Sequence, residues 1–366
     1  MEKNTHIATL TDESITLLKE MIAIPSPSFN EDEVCSHICK WLSSKGIEHE
    51  RVGNNIIAEH VTDPSNPTLM LCAHIDTVSP CEGYSFDPYK PENSPEGVIQ
   101  GLGSNDDGAS VVAMIAAYRY FIGQTRINLT LVLTCEEERS GKDGMTGLWG
   151  KRLNRIDYAI VGEPTGMKAA TSERGLLVID ATAHGVSGHA ARNEGKNALY
   201  IALEDIERLR RHEFTKISPK MGKVNLNVTQ ISAGSAHNVI PDRCDFVIDI
   251  RPTEQYSNEE ILQELQAICE SELKPRNLAN RSSATHEGSP LQKTAERMGI
   301  ETFSSATTSD WMRITCDAIK MGPGDSNRSH RKDEYVTVEE ISEGIEKYIQ
   351  FIISFSNADA PRNDVM

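Results

Sequence analysis

Residues 69–78 read Leu-Met-Leu-Cys-Ala-His-Ile-Asp-Thr-Val. The four apolar residues Leu69 to Cys72 have the signature of a buried strand, and the strand ends at His74. Two more stretches repeat this arrangement. Leu129 to Thr134 is an apolar strand running straight into Glu136-Glu137-Glu138, and Tyr158 to Val161 runs into Gly162-Glu163-Pro164. Between them, Gly101 to Gly108 is a tight glycine-rich turn carrying Asn105-Asp106-Asp107, and it opens a long apolar helix from Ala109 to about Ile122. Strands alternating with helices predict an α/β fold with a mostly parallel sheet. Carboxylates and imidazoles at the strand ends line the mouth of such a sheet, where α/β folds place their ligands.

Working outward, a first helix is expected to start after Thr11 and to stop at Pro25-Ser26-Pro27. Ser28 and Glu31 have capping-box spacing, before a helix that buries Val34, Ile38, Trp41 and Leu42. The pattern changes near residue 172. Leu176 to Ala183, Val224 to Ile231 and Cys244 to Ile250 alternate apolar and polar residues, as strands with one wet face do. Helices are expected over Asn197 to about Leu209 and after the Ser257/Glu260 box. The order β-α-β-β-α predicts an inserted α+β sandwich with an antiparallel sheet at 172–284, to which the resemblance described below gives a lid or dimerisation role. Residues 1–171 and 285–366 would form the catalytic domain, closed by a strand at Ala318 to Met321 and a last helix boxed by Thr337 and Glu340.

The chain has 366 residues, which favours two domains over one. A hydrophobic content of 38% supplies a substantial core. The formal charge of −17 argues against nucleic acid or an anionic membrane as partner. No stretch approaches the roughly 20 apolar residues that span a bilayer. The opening Met1-Glu2-Lys3-Asn4-Thr5-His6 lacks an apolar signal core, so a cytoplasmic location is expected. The eight cysteines are scattered without zinc-finger spacing and read as free thiols; Cys35 and Cys39, four apart on a helix, read as half-buried side chains.

Each cluster has its own chemistry. His74 and Asp76, two apart on a strand, share a face, so that one can ligate a metal while the other fixes the imidazole. Asp106 or Asp107 is placed to cap a helix; alternatively, the two oxygens of Asp106 can bridge two ions about 3.5–4 Å apart. Three glutamates after a buried strand repel one another unless cations compensate. For Glu137 and Glu138 both to reach a site the backbone must turn, and Gly141 and Gly144 would permit it. One of these carboxylates would then bind metal and its neighbour serve as base. Glu163 and the loop histidine His330 complete a set of five separated clusters.

At these residues the chain resembles the M20 family of dinuclear zinc deacylases and peptidases. The likeness covers nearly the whole length and its motifs come in family order: LMLCAHIDTV (69–78), GLGSNDDGAS (101–110), TCEEERSGKDG (134–144), IVGEPT (160–165) and MGPGDSNRSHRKDEYV (321–336). The resemblance implies two Zn²⁺ per subunit, with Co²⁺ an alternative. His74, Asp106 and Glu163 would hold one ion, and Asp106, Glu138 and His330 the other. Asp76 would orient His74. Glu137 would act first as general base and then as general acid. In the insert, GVSGHAA (185–191) implies that His189 stabilises an oxyanion, reaching across a homodimer formed through 172–284. SAHNVIPD (235–242) and DIRP (249–252) imply substrate contacts from Asn238 and Arg251. Arg174, Arg251 and the Gly322-Pro323-Gly324 loop would hold a substrate carboxylate. Leu102 and Asp107 stand where the family carries Arg and Lys, which weakens assignment to its best-known branches but touches no ligand position. Among those branches the motifs look most like acetylornithine deacetylase. The expected reaction is therefore hydrolysis of a small N-acyl-L-ornithine, acetyl or succinyl, in arginine biosynthesis. Succinyl-diaminopimelate desuccination and dipeptidase or aminoacylase activity are the alternatives; a non-enzymatic metal-binding scaffold would be expected to lack Glu137 or a ligand.

Overall fold

The structure, a computed structural model, describes residues 2–123, 127–192 and 194–357. Residues 1, 124–126, 193 and 358–366, which fall within the ranges given above, lie outside them. The chain forms two compact units. The first comprises Met1–Thr171, Thr285–Phe303 and Ser309–Met366; the second comprises Ser172–Ala284 with Ser304–Thr308.

Four parallel strands form the centre of the first unit: Asn128–Thr134, Thr68–His74, Tyr158–Val161 and Asp317–Lys320, in that spatial order. Leu71 lies opposite Leu131 on one side and Ile160 on the other. Antiparallel strands extend the sheet at both ends: Asn55–His60 and Glu50–Val52 beyond Asn128–Thr134, and Ala169–Glu173 beyond Asp317–Lys320. Both faces are covered. Leu71, Leu131 and Ile160 pack with residues of the helices Glu2–Ile22, Ala109–Phe121 and Val338–Asn357. Met70, Val132 and Ala159 pack on the opposite face against Met145, Leu148 and Trp311. Burial on two faces is why these strands are buried at nearly every position and mostly apolar instead of alternating.

The second unit is built on a four-stranded antiparallel sheet with two helices and carries a separate two-stranded ribbon, Gly188–His189 with Val239–Ile240. Its strand order is Asn225–Ala233, Arg243–Arg251, Leu177–His184, Glu272–Pro275. Burial alternates along the two middle strands, with Cys244, Phe246, Ile248 and Ile250 inward and the residues between them partly or fully exposed. The inward face packs on Ile201, Ala202 and Leu209 of the helix Ala198–Arg211 and on Ile261 and Leu265 of the helix Asn258–Ile268. Ser257 and Glu260 form the expected reciprocal cap. The fourth strand, Glu272–Pro275, was not anticipated. It is a short edge strand with a single buried residue, Leu273, and ends in proline, so it carries little periodic signal.

Two local expectations are corrected. The first helix begins at Glu2, ahead of Thr11. The Thr11 hydroxyl donates to the carbonyl of Ile7 at 3.0 Å, a bond made inside a helix, whereas a cap would accept from the turn that follows it. Ser28 and Glu31 do not form a capping box. The helix Asp32–Ser44 has Glu31 at its N-cap position without a side-chain cap, and Ser28 and Glu31 are both engaged elsewhere.

Candidate metal centre

The parallel strands deliver their acidic and imidazole residues to one end of the first unit's sheet. His74 closes the strand Thr68–His74, and its ring is held at both nitrogens. Nδ1 lies 3.0 Å from the main-chain carbonyl of Asp76, and Nε2 lies 3.2 Å from Oδ1 of Asp106. A ring that donates from Nδ1 to a carbonyl presents an Nε2 lone pair to a ligand. The carboxylate of Asp76 is 3.5 Å from the same Nδ1 and is engaged chiefly elsewhere. Its Oδ1 accepts the N–H of Glu137 at 3.0 Å, and its Oδ2 accepts the N–H of Glu138 at 3.1 Å and the Ser28 hydroxyl at 2.6 Å. Asp76 thus orients the imidazole through its backbone and the glutamate turn through its side chain.

That turn is made at Glu136, which adopts a left-handed conformation with φ of 59°. The chain then enters a single 3₁₀ turn, Glu137–Arg139. Gly141 is needed because a Cβ there would lie 2.0 Å from the Glu136 carboxylate. The turn lets two successive glutamates face one site, which an extended strand forbids.

Asp106 sits between the two histidines. Its Oδ1 faces His74 Nε2 at 3.2 Å, and its Oδ2 lies 3.6 Å from His330 Nε2. The same His330 nitrogen is 2.9 Å from Oε2 of Glu138. Ligand atoms of His74, Asp106 and Glu138 lie within 4.8 Å of one another, as do those of His74, Glu137 and Glu163. All five clusters therefore converge on one place.

Their charges are poorly matched without cations. Loss of hydration pushes Glu137 well above the ordinary carboxylate range, and Glu163, Asp310 and Glu138 add to the rise. Glu163 is likewise pushed well above that range by loss of hydration, with Asp106 and Asp107 adding to it and the buried Lys320 opposing. Burial works against the charged form of His74, yet hydrogen bonds to Asp106 and Asp76 hold its pKa well above the usual value. The Glu138 carboxylate lifts His330 to about 9. Asp106, by contrast, is held below the ordinary range against its burial by the His74 hydrogen bond and by the charges of His74 and His330. Four carboxylates around two imidazoles match the oxygen and nitrogen donor set that divalent zinc takes.

The remaining expected site residues have these settings. Gly324, with φ of 90°, belongs to the first unit, and a Cβ there would lie 2.4 Å from Asn105 Oδ1. The other four belong to the second unit. His189 is exposed in the two-residue strand Gly188–His189, where it pairs with Val239, and its Nδ1 accepts the N–H of Ala191 at 3.1 Å. Asn238 is exposed, and its carbonyl accepts the N–H of Ala190 at 3.0 Å. Arg174 donates to the carbonyls of Lys223, Arg251 and Met221. Arg251 pairs with Asp249 at 2.8 Å.

Several residues near the centre escaped sequence reasoning. Asp310 is buried, receives the Thr134 hydroxyl at 2.6 Å, and is raised to about 6 by burial. Ser28 was read as a cap. Glu334 was quoted within the closing motif without a role, although its place four residues after His330 was visible.

Residues 171–277 match the M20 peptidase dimerisation domain. The chain is 27% identical over 364 residues to succinyl-diaminopimelate desuccinylase of Xanthomonas campestris pv. campestris, covering 91% of this chain and 96% of that protein. Aminopeptidase PepT from Bacillus cereus has the same fold, with a TM-score of 0.76 at 18% identity, covering 94% of this chain and 98% of that one. So does the Bacillus subtilis YXEP protein, a dinuclear metal-binding peptidase from the M20 family, with a TM-score of 0.72 at 16% identity, covering 95% and 99%. The homologues indicate a hydrolytic enzyme acting on amide bonds. The chain is thus similar to M20 peptidases over nearly its whole length, and its residues 171–277 match the peptidase dimerisation domain. No helix among the described residues is long and apolar enough to cross a membrane.

Proposed function

We propose that this chain is a dinuclear metal-dependent deacylase that hydrolyses the amide bond of an N-acyl-L-amino acid. The observation that carries the reading is the Asp106 carboxylate, whose two oxygens face two different histidines, His74 and His330. In this reading His74, Asp106 and Glu163 hold one divalent cation, and Asp106, Glu138 and His330 hold the second. Zn²⁺ suits these donors, and Co²⁺ would replace it. Such ions supply Lewis acidity and make a water easier to deprotonate.

Glu137 takes a proton from the attacking water. As that water's oxygen bonds to the acyl carbon and the C–N bond breaks, Glu137 returns the proton to the departing amine. A carboxylate and a free amine leave. Asp76 keeps Glu137 in place by accepting its backbone N–H. His189 would donate to the oxyanion, and a preorganised donor of that kind is worth about 3–4 kcal/mol. Arg174, Asn238, Arg251 and Gly324 would contact substrate; at Arg174 a substrate carboxylate competes with three main-chain carbonyls already accepting from it.

The motif likeness favours N-acetyl- or N-succinyl-L-ornithine, a step of arginine biosynthesis. A second reading, desuccination of succinyl-diaminopimelate, is favoured by the relative of that name, which matches over 91% of this chain. The enzyme loaded with zinc or cobalt is to be assayed on acetylornithine, succinylornithine, succinyl-diaminopimelate and dipeptides, with metal content measured in parallel. Fastest turnover of an acyl-ornithine with two ions per chain is expected. Faster turnover of dipeptides would overturn the deacylase reading. The dimerisation domain further supports a homodimer through residues 172–284. Sedimentation is expected to give a dimer, and a fully active monomer would overturn this part of the proposal.

A further inference from the structure

We propose that Glu334 is a positioning residue for Asp106; the inference rests on the reading above, in which Asp106 is shared by both cations. Glu334 is 2% exposed. Its carboxylate accepts three backbone N–H groups from a single turn. Oε2 accepts from Gly103 at 3.1 Å, and Oε1 accepts from Asn105 and Asp106 at 2.9 Å each. The main-chain carbonyl of Glu334 accepts the N–H of Gly101 at 3.0 Å. One side chain and its own backbone thus grip the turn at four amides.

The turn requires such an acceptor. Asp106 and Asp107 depart from helical geometry, with φ of −118° and −120°, so the amides around them lack a regular ladder of partners. A carboxyl group offers two acceptor oxygens, which span a turn that a single carbonyl does not. The bond to the N–H of Asp106 itself fixes the Cα from which the shared carboxylate projects. A site of this kind tolerates errors of only about 0.5 Å in its ligands.

The placing of Glu334 in the chain gives the arrangement a further consequence. His330 brings its Nε2 to the Glu138 carboxylate, and four residues later Glu334 grips the backbone of Asp106 from behind. One short segment therefore sets both the second histidine and the shared carboxylate, so the spacing between them is fixed by five residues of chain.

The test uses the full-length chain. Glu334→Gln keeps the size but turns an NH₂ group toward backbone N–H donors. Glu334→Asp keeps the charge but is one methylene too short to reach both ends of the turn. Apo-protein is titrated with Co²⁺ and followed by visible absorption, with kcat, KM and apo melting temperature measured alongside. Glu334→Gln is expected to weaken cation affinity by about 10–100-fold, with KM held within about twofold. Glu334→Asp should fall between it and the wild type. A residue that only stabilised the loop would lower the melting temperature and leave affinity unchanged; wild-type affinity and turnover in Glu334→Gln overturn the proposal. Should that variant not fold, Glu334→Asp is judged by the same criterion. His74→Ala is the control. If the wild type itself fails to bind two cations, the functional reading falls. If it binds two and the variants bind them equally well, only the role of Glu334 falls.

Discussion

The two sheets of this molecule are built on opposite rules. In the first unit, neighbouring residues of a central strand are buried on opposite faces; Leu131 and Val132 are both at 0% exposure. In the second unit, Ile248 is at 0% while Val247 beside it is only half-buried. The first arrangement makes a rigid parallel platform whose strand ends carry His74, Glu137 and Glu163, with nearly every chemical group brought in at one end. The second makes an antiparallel sheet with a wet face, and its expected functional residues, His189 and Asn238, are exposed near a short ribbon. A site needing several anionic side chains at fixed separations is best carried by a platform buried on both faces, because packing at 0% exposure leaves its strand ends little freedom.

This contrast is open to direct attack. The largest expected effect is chemical and lies wholly on the platform. Glu137→Ala should lower kcat by about 10²–10⁴-fold while keeping its metal, as measured by steady-state assay and metal analysis; near-normal turnover would remove Glu137 from the proton transfer. Next in size is an alanine pair on the platform. Leu131→Ala should cost about 2–5 kcal/mol in urea denaturation, and Val132→Ala should also cost well over 1 kcal/mol, because neither face is wet. The matching pair in the second unit should split. Ile248→Ala should cost about 2–5 kcal/mol and Val247→Ala, the smallest effect, less than about 1 kcal/mol. Equal costs at 247 and 248 would show the outer face to be covered in solution, which would sharpen the comparison by placing a partner there.

The sequence made the platform legible because burial on two faces leaves uninterrupted apolar runs, and the ligand clusters follow those runs directly. Tyr158–Val161 was located to the residue for that reason. Short or capped segments were less legible. Glu272–Pro275 has one buried side chain and no period to read. Ser28 and Glu31 fit a cap by spacing, yet long-range partners outbid the local ones. Ser28 donates to Asp76 at 2.6 Å, and Glu31 accepts the N–H groups of Phe29 and Glu136. Spacing along the chain cannot reveal a partner 48 or 105 residues away.

By itself the sequence determined which strands form the platform and which ligand-type side chains follow them, since both follow from residue type and from periodicity along the chain. Only the tertiary structure decided what each carboxylate does. Asp76 and Asp106 are the same residue type on neighbouring loops, but one accepts the amides of the Glu137–Glu138 turn while the other opens its two oxygens to His74 and His330. The physical reason is that a carboxylate's role is set by the donors within about 3 Å of it, and those donors come from segments that meet only when the chain is folded.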